Sequence, residues 1–248
     1  MSRYLYLALD LGSVLVPLLF SFYPKKNFAS TWRAWLPAIL FPALIFIVWD
    51  EWFTGMRVWG FNVTYLTGVT LGHLPIEEIL FFLCIPYACL FTYVAVNYFR
   101  TTEPIADQGR RVTWVLVVGL LAVGIKNYDR WYTAVTFISL AVFLLVLILR
   151  VKPAYLGRFY FSYLFILIPF FLVNGILTGS WIENPVVWYN DEENLGIRMG
   201  TIPFEDTFYG MLLILMNVVI YEYRMRHGVT QKQGAPTHQN AALTGLIE

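Results

Sequence analysis

The stretch NVTYLTGVTLGHLPIEEILFF occupies residues 62–82, and NDEENLGIRMGTIPFEDTFYG occupies residues 190–210. The two align without a gap at an offset of 128, the step from 62 to 190. Phe61-Asn62 falls on Tyr189-Asn190, Gly68 on Gly196, Gly72 on Gly200 and Pro75 on Pro203. Glu77 then falls on Glu205, Glu78 on Asp206 and Phe81 on Tyr209. Each copy turns apolar after its two carboxylates. Acidic groups just inside an apolar helix are costly to bury. Two such pairs at one spacing point to an internal duplication whose copies share a site.

Working outward, hydrophobic residues make up 58 % of the chain and charged residues 13 %. Several apolar runs reach the ~18 residues that a membrane helix needs. The chain therefore reads as an all-α, multi-pass membrane protein, not a globular domain. A net charge of +1 gives no reason to expect a nucleic-acid partner. Cys84 and Cys89 share one apolar run and read as small packing residues.

Seven spans are predicted, at 3–23, 33–53, 74–99, 112–125, 131–151, 159–179 and 202–223. The fourth is short, but the charge pattern supports it. Of the 17 Lys and Arg, five (Arg3, Arg57, Lys126, Arg130, Arg198) fall on the side of the N-terminus and twelve on the other. By the positive-inside rule the N-terminus is outside the cell membrane and the C-terminus cytoplasmic. If the fourth run did not cross, this bias would vanish. The expected organisation is a first three-helix repeat at 1–105, a linker helix at 106–130, a second parallel repeat at 131–223 and a disordered cytoplasmic tail at 224–248.

This topology collects the polar residues near the outer face. Asp50 and Glu51 end the second span, Glu77 and Glu78 begin the third, and Glu205 and Asp206 begin the seventh. Asn174 lies near the outer end of the sixth and Asp10 two turns into the first, while the cytoplasmic half is expected to hold nothing comparable. Pro75 and Pro203 suit the first helical position, which places Glu77 and Glu205 one turn before Phe81 and Tyr209 on the same face. Adjacent helix positions point about 100° apart, so only one carboxylate of each pair can aim at a common centre. A helix N-terminus favours the anion, whereas burial among like charges favours the neutral acid. Crowding is expected to keep at least one acid protonated at neutral pH, which supplies an acid and a base in one site.

One acidic pair in a first helical turn is ordinary capping. The duplication, joined by Asp50, argues for a functional set of Glu77, Glu78, Glu205, Asp206 and Asp50. Trp49, Trp52, Trp59, Tyr65, Trp181, Trp188 and Tyr189 suit an interfacial aromatic belt, or a π-rich wall that tolerates a cation. Trp49, Phe81 and Tyr209 are the candidate lining residues. Asn62 and Asn190 are added to them, although asparagine here is more often a turn residue. No glycine-rich nucleotide fingerprint, Cys/His cluster or nucleophile elbow is present. Asn190-Asp191-Glu192-Glu193-Asn194 is only a partial echo of a magnesium–diphosphate motif, and the lysines lie outside the spans, so no retinal-type Schiff base fits. No cofactor and no metal are expected; His73 alone at a membrane edge does not make a metal site.

Trp49-Asp50, Val58-Trp59-Gly60-Phe61-Asn62, Leu74-Pro75-Ile76-Glu77-Glu78 and Phe81-Phe82 resemble the membrane-integral lycopene cyclase domain family. Asn184-Pro185-Val186-Val187, Tyr189-Asn190 and Ile202-Pro203-Phe204-Glu205-Asp206 resemble its second domain, so the chain looks like the fused form of the bacterial, archaeal and fungal type. The resemblance implies a lycopene β-cyclase, an intramolecular lyase or isomerase that closes the linear ψ-ends of lycopene, or a related carotenoid, into β-ionone rings without redox change. An acid protonates the terminal double bond at C2, the C5–C6 double bond attacks the cation at C1, and a base takes the proton from C6. The expected acid is Glu77 or Glu205, with the other carboxylates tuning it. Two rivals stand beside this reading: a cyclase of another linear carotenoid or with an ε- or γ-ring product, and a proton-coupled transporter, which also uses parallel repeats and buried carboxylates.

Overall fold

A computed structural model describes residues 2–100 and 106–233. It contains seven α-helices: α1 (Leu5–Phe20), α2 (Trp32–Gly55), α3 (Ile76–Phe99), α4 (Ala106–Lys126), α5 (Trp131–Val146), α6 (Leu156–Leu177) and α7 (Phe204–Gln233). All but α1 are long and apolar enough to cross a membrane; α5 reaches that length through a π-helical turn at Leu147–Val151. α1 has 16 residues and lies along α3. Helices suit this composition because lipid offers backbone groups no partner and a helix satisfies them within itself.

Two expectations change. The fourth span is a full helix of 21 residues, longer than the 14 positions from 112 to 125 read from hydropathy. The segment from Arg224 to Gln233, read as the start of a disordered tail, instead continues α7. Its polar side chains hid a helix already nucleated by the long apolar run before it. Residues 234–248, the remainder of that expected tail, lie outside the described residues.

The helices pack in a two-fold pattern. α3 and α7 meet at the centre; α1 packs on α3 as α5 packs on α7; α2 crosses to α7 as α6 crosses to α3. α4 stands outside this scheme, against α5 and α6. Ala38 and Ala43, both buried on α2, allow close approach to α7. There Asn217 Nδ2 donates to the Ala38 carbonyl at 2.6 Å.

The loops repeat the same relation. Strand β1 (Trp59–Phe61) pairs antiparallel with β4 (Val187–Tyr189), with Trp59 opposite Tyr189 and Phe61 opposite Val187. The flanking bonds, Asn62 N–H to Val186 at 2.8 Å and Asn190 N–H to Val58 at 2.9 Å, exchange under the 128-residue offset. This ladder ties the two copies together. Before α3, β2 (Thr70–Leu71) and β3 (Leu74–Pro75) form a small hairpin, matched before α7 by β5 (Arg198–Met199) and β6 (Ile202–Pro203). The hairpins turn on Gly72 (φ 64°) and Gly200 (φ 67°), a left-handed backbone that glycine adopts without strain.

Candidate active site

The hairpins fix where each acidic pair points. Thr67 N–H donates to Glu77 Oε1 at 2.6 Å, and Leu195 N–H donates to Glu205 Oε1 at 2.8 Å. Thr133 Oγ1 adds a second bond to Glu205 Oε1 at 2.6 Å. Glu77 and Glu205 are fully buried and clasp the incoming loop to the first turn of its helix. One position on, the ~100° step of the helix turns Glu78 and Asp206 the other way, into a shared cavity.

That cavity has a volume of about 500 Å³ and lies among α1, α3, α6 and α7. Three carboxyls line it: Asp50, Glu78 and Asp206. Each has an aromatic donor. Trp59 Nε1 donates to Asp50 Oδ1. Tyr6 donates its hydroxyl to Glu78 Oε2 at 2.5 Å. Tyr132 does the same to Asp206 Oδ1 at 2.5 Å, and Tyr189 reaches Asp206 Oδ2 at 3.0 Å. Asp50 Oδ2 and the Tyr209 hydroxyl are buried without a hydrogen-bond partner among the described residues. Away from this cluster the wall is aliphatic and aromatic, including Ile85, Ile166, Phe170 and Leu213.

Of the residues singled out from sequence, the structure brings Asp50, Glu78, Asp206, Phe81 and Tyr209 onto one cavity, with Asn174 also on its wall. It does not place Glu77, Glu205, Trp49, Asn62 or Asn190 there. Glu77 and Glu205 were the expected acids; Oε1 of each is turned to a backbone donor of its loop, and Oε2 of each is buried off the cavity wall without a hydrogen-bond partner among the described residues. Trp49 packs behind Tyr209, ring centroids 5.2 Å apart. Asn62 and Asn190 each accept a backbone N–H two residues on, from Thr64 and Glu192 at 3.1 Å, which makes them turn residues. Glu51 holds the exposed His73 instead, through Nδ1 at 2.7 Å. Asp10 is fully buried but off the cavity wall, with no hydrogen-bond partner among the described residues.

The aromatic residues divide. Trp52, Trp181 and Trp188 are exposed, as a belt requires, while Trp59 and Tyr189 belong to the cavity. Tyr6 and Tyr132 were not legible. They occupy matching places in α1 and α5 but stand 126 apart (6 to 132), so the 128-residue register does not pair them. The far end of the bundle also holds polar groups that hydropathy did not suggest. Tyr93 donates to Glu222 at 2.6 Å, with Arg158 at 3.9 Å and Arg226 at 4.0 Å. Glu222 is 16 residues beyond Asp206 on α7, about 24 Å along the helix, so this cluster is separate from the three carboxyls.

Fold and site define a class: a polytopic membrane protein with an apolar cavity and a group of carboxyls at one end of it. The chain belongs to the lycopene cyclase family, whose sequence model matches residues 3–96 and again residues 129–224. The family makes it a cyclase of carotenoid biosynthesis, with a carotenoid substrate and a lipid environment. Neither a curated protein nor a solved structure matches the chain.

Proposed function

We propose that the chain is a lycopene β-cyclase, an intramolecular lyase that closes the ψ-ends of lycopene to give γ-carotene and then β-carotene. The observation that carries this reading is the meeting of Asp50, Glu78 and Asp206 at one end of an otherwise apolar cavity. A hydrocarbon end group suits such walls, and its cyclisation needs a proton delivered, a cation tolerated and a proton removed.

Hydrogen bonding separates the three roles. Asp50 keeps one buried oxygen without a donor, so it can carry a proton and give it to C2. Asp206 accepts two tyrosine hydroxyls, so it remains a carboxylate and stabilises the cation electrostatically. Glu78 accepts one hydroxyl and keeps an oxygen for the proton released from C6. Between these steps the C1–C6 bond forms at the expense of the C5–C6 π pair, and loss of the C6 proton restores a double bond at C5–C6. One proton enters and one leaves, so no electron acceptor takes part. Tyr209, Trp59 and Phe81 present aromatic faces that favour the cation.

The site is composite, since both repeats supply carboxyls to a single cavity. The same reading takes 1–105 and 131–223 as parallel repeats joined by the linker 106–130. It places the N-terminus outside the cell membrane, from the lysine and arginine bias. The test is pigment analysis in a host that accumulates lycopene. Conversion to cyclic carotenoids by the wild type, lost in Asp50→Asn and Glu78→Gln, supports the reading. Unchanged lycopene with the protein present in the membrane removes it.

A further inference from the structure

The cavity is not sealed by the bundle. On α1, Ala8, Gly12 and Val16 follow one another at four-residue spacing, so they form one stripe. All three line the cavity and are also exposed, Val16 at 57 %. Across from them on α6, Leu172 likewise lines the cavity and is 56 % exposed. A residue can be both only at a rim, so the cavity opens between α1 and α6. The stripe spans the middle of α1, so the opening faces the hydrocarbon layer and not the water on either side.

From the carboxyl cluster the cavity runs along α3 from Glu78 to Thr92, about 21 Å of helix. This is shorter than an extended linear carotenoid.

The repeat explains why the opening is on one side only. The approach equivalent to α1–α6 is α5–α2. There Phe46 and Trp49 fill the space against Tyr209, with centroids at 4.9 and 5.2 Å, and Trp52 meets Trp131 at 5.7 Å. Aligned on the matching bonds Val58 N–H to Phe53 and Val186 N–H to Leu177, the counterpart of Trp49 on α6 is Val173, which is smaller and lies on the cavity wall, and that of Phe46 is Phe170, which also lines the cavity.

We propose that the linear polyene reaches the carboxyls sideways from the bilayer through the α1–α6 opening, and that Gly12 keeps this portal open. The reacting end lies against Asp50 and Glu78, the next part of the chain lies along α3, and the far end stays in lipid. The two ends are then processed in separate binding events. This inference rests on the cyclase reading for the identity of the polyene, but not for the existence of the portal.

A Cβ at Gly12 meets no atom within 4 Å, so a side chain there is accommodated and adds bulk at the rim of the opening. The test compares Gly12→Phe, Gly12→Ala and Leu15→Phe in the lycopene-accumulating host. Leu15 is an exposed α1 residue off the cavity. Two quantities are read at matched membrane abundance: cyclised pigment, and polyene absorbance retained by the protein purified in detergent. The expected result is a fall of at least about tenfold in both for Gly12→Phe, with Gly12→Ala and Leu15→Phe close to wild type. Wild-type conversion and retention by Gly12→Phe would overturn the portal, and so would lost conversion with retention intact, or no retention by the wild type. If the wild type makes no cyclic pigment yet loses its bound polyene on Gly12→Phe, the cyclase reading falls and the portal stands.

Discussion

Glu78 and Asp206 stand at equivalent positions of the two copies, and each accepts a tyrosine hydroxyl at 2.5 Å, from Tyr6 and from Tyr132. Each tyrosine comes from the first helix of the same copy, so the carboxyl is aimed by its own repeat while the cavity it faces is shared. Tyr6→Phe and Tyr132→Phe keep the ring and remove the donor. Each is expected to lower conversion of lycopene by roughly tenfold and to move its pH profile, since a hydrogen bond to a carboxylate supports its charged form. Tyr189→Phe is expected to do less, because Asp206 retains Tyr132. An unmoved pH profile in both Tyr6→Phe and Tyr132→Phe would show that the hydroxyls only pack.

The acidic pairs separate by role. Asp50→Asn and Glu78→Gln are expected to lower conversion by about 10²–10⁴-fold at normal membrane abundance. Glu77→Gln and Glu205→Gln act instead on the clasp between loop and helix, with a loss of about 1–3 kcal/mol in stability and activity retained by the folded fraction. Thermal unfolding in detergent, beside pigment yield, distinguishes the two groups. A Glu77→Gln protein that is stable but inactive would return the acid role to that residue.

The hairpin glycines provide a test internal to the repeat. Gly72 and Gly200 share a positive φ, so alanine at either is expected to cost about 1–2 kcal/mol. At Gly200 a Cβ meets nothing within 4 Å, whereas at Gly72 it lands on the carboxylate of Glu51, which holds His73. Gly72→Ala is therefore expected to lower the unfolding temperature more than Gly200→Ala. Equal shifts would mean that the Glu51–His73 contact adds nothing.

Outside the spans, the guanidinium of Arg198 bonds to Asp191 and holds its carboxyl below the usual range. A carboxyl lowered in the folded state adds stability above its unfolded pKa, and that stability is lost as pH falls through the folded value. The Asp191 side chain is 64 % exposed, so the contribution is under ~1 kcal/mol and is screened by salt. Asp191→Asn is expected to lower stability slightly at neutral pH and to leave acid stability unchanged. A loss of the same size at low pH would overturn the charge assignment.

The duplication, the membrane class and the grouping of acids at one end were legible because they rest on local chemistry. An apolar run of sufficient length can only be satisfied as a helix in lipid, and an exact 128-residue register needs no coordinates to be seen. The choice within each Glu-Glu or Glu-Asp pair was not legible. It depends on where the hairpin returns, and so on which oxygen meets the backbone N–H of Thr67 or Leu195. Tyr6 and Tyr132 were hidden by a two-residue slip between helices that occupy matching places in space.

The chain alone thus determined what kinds of groups gather and in what order they are strung, since hydropathy, charge bias and repeat register are properties of neighbours in sequence. Only the tertiary structure decided which three carboxyls face the cavity, which aromatic donors hold them, and that the bundle opens between α1 and α6 but not between α5 and α2. Those outcomes turn on helix phase and on the volume of Trp49 against Val173, and such differences acquire meaning only when residues distant in the chain are packed together.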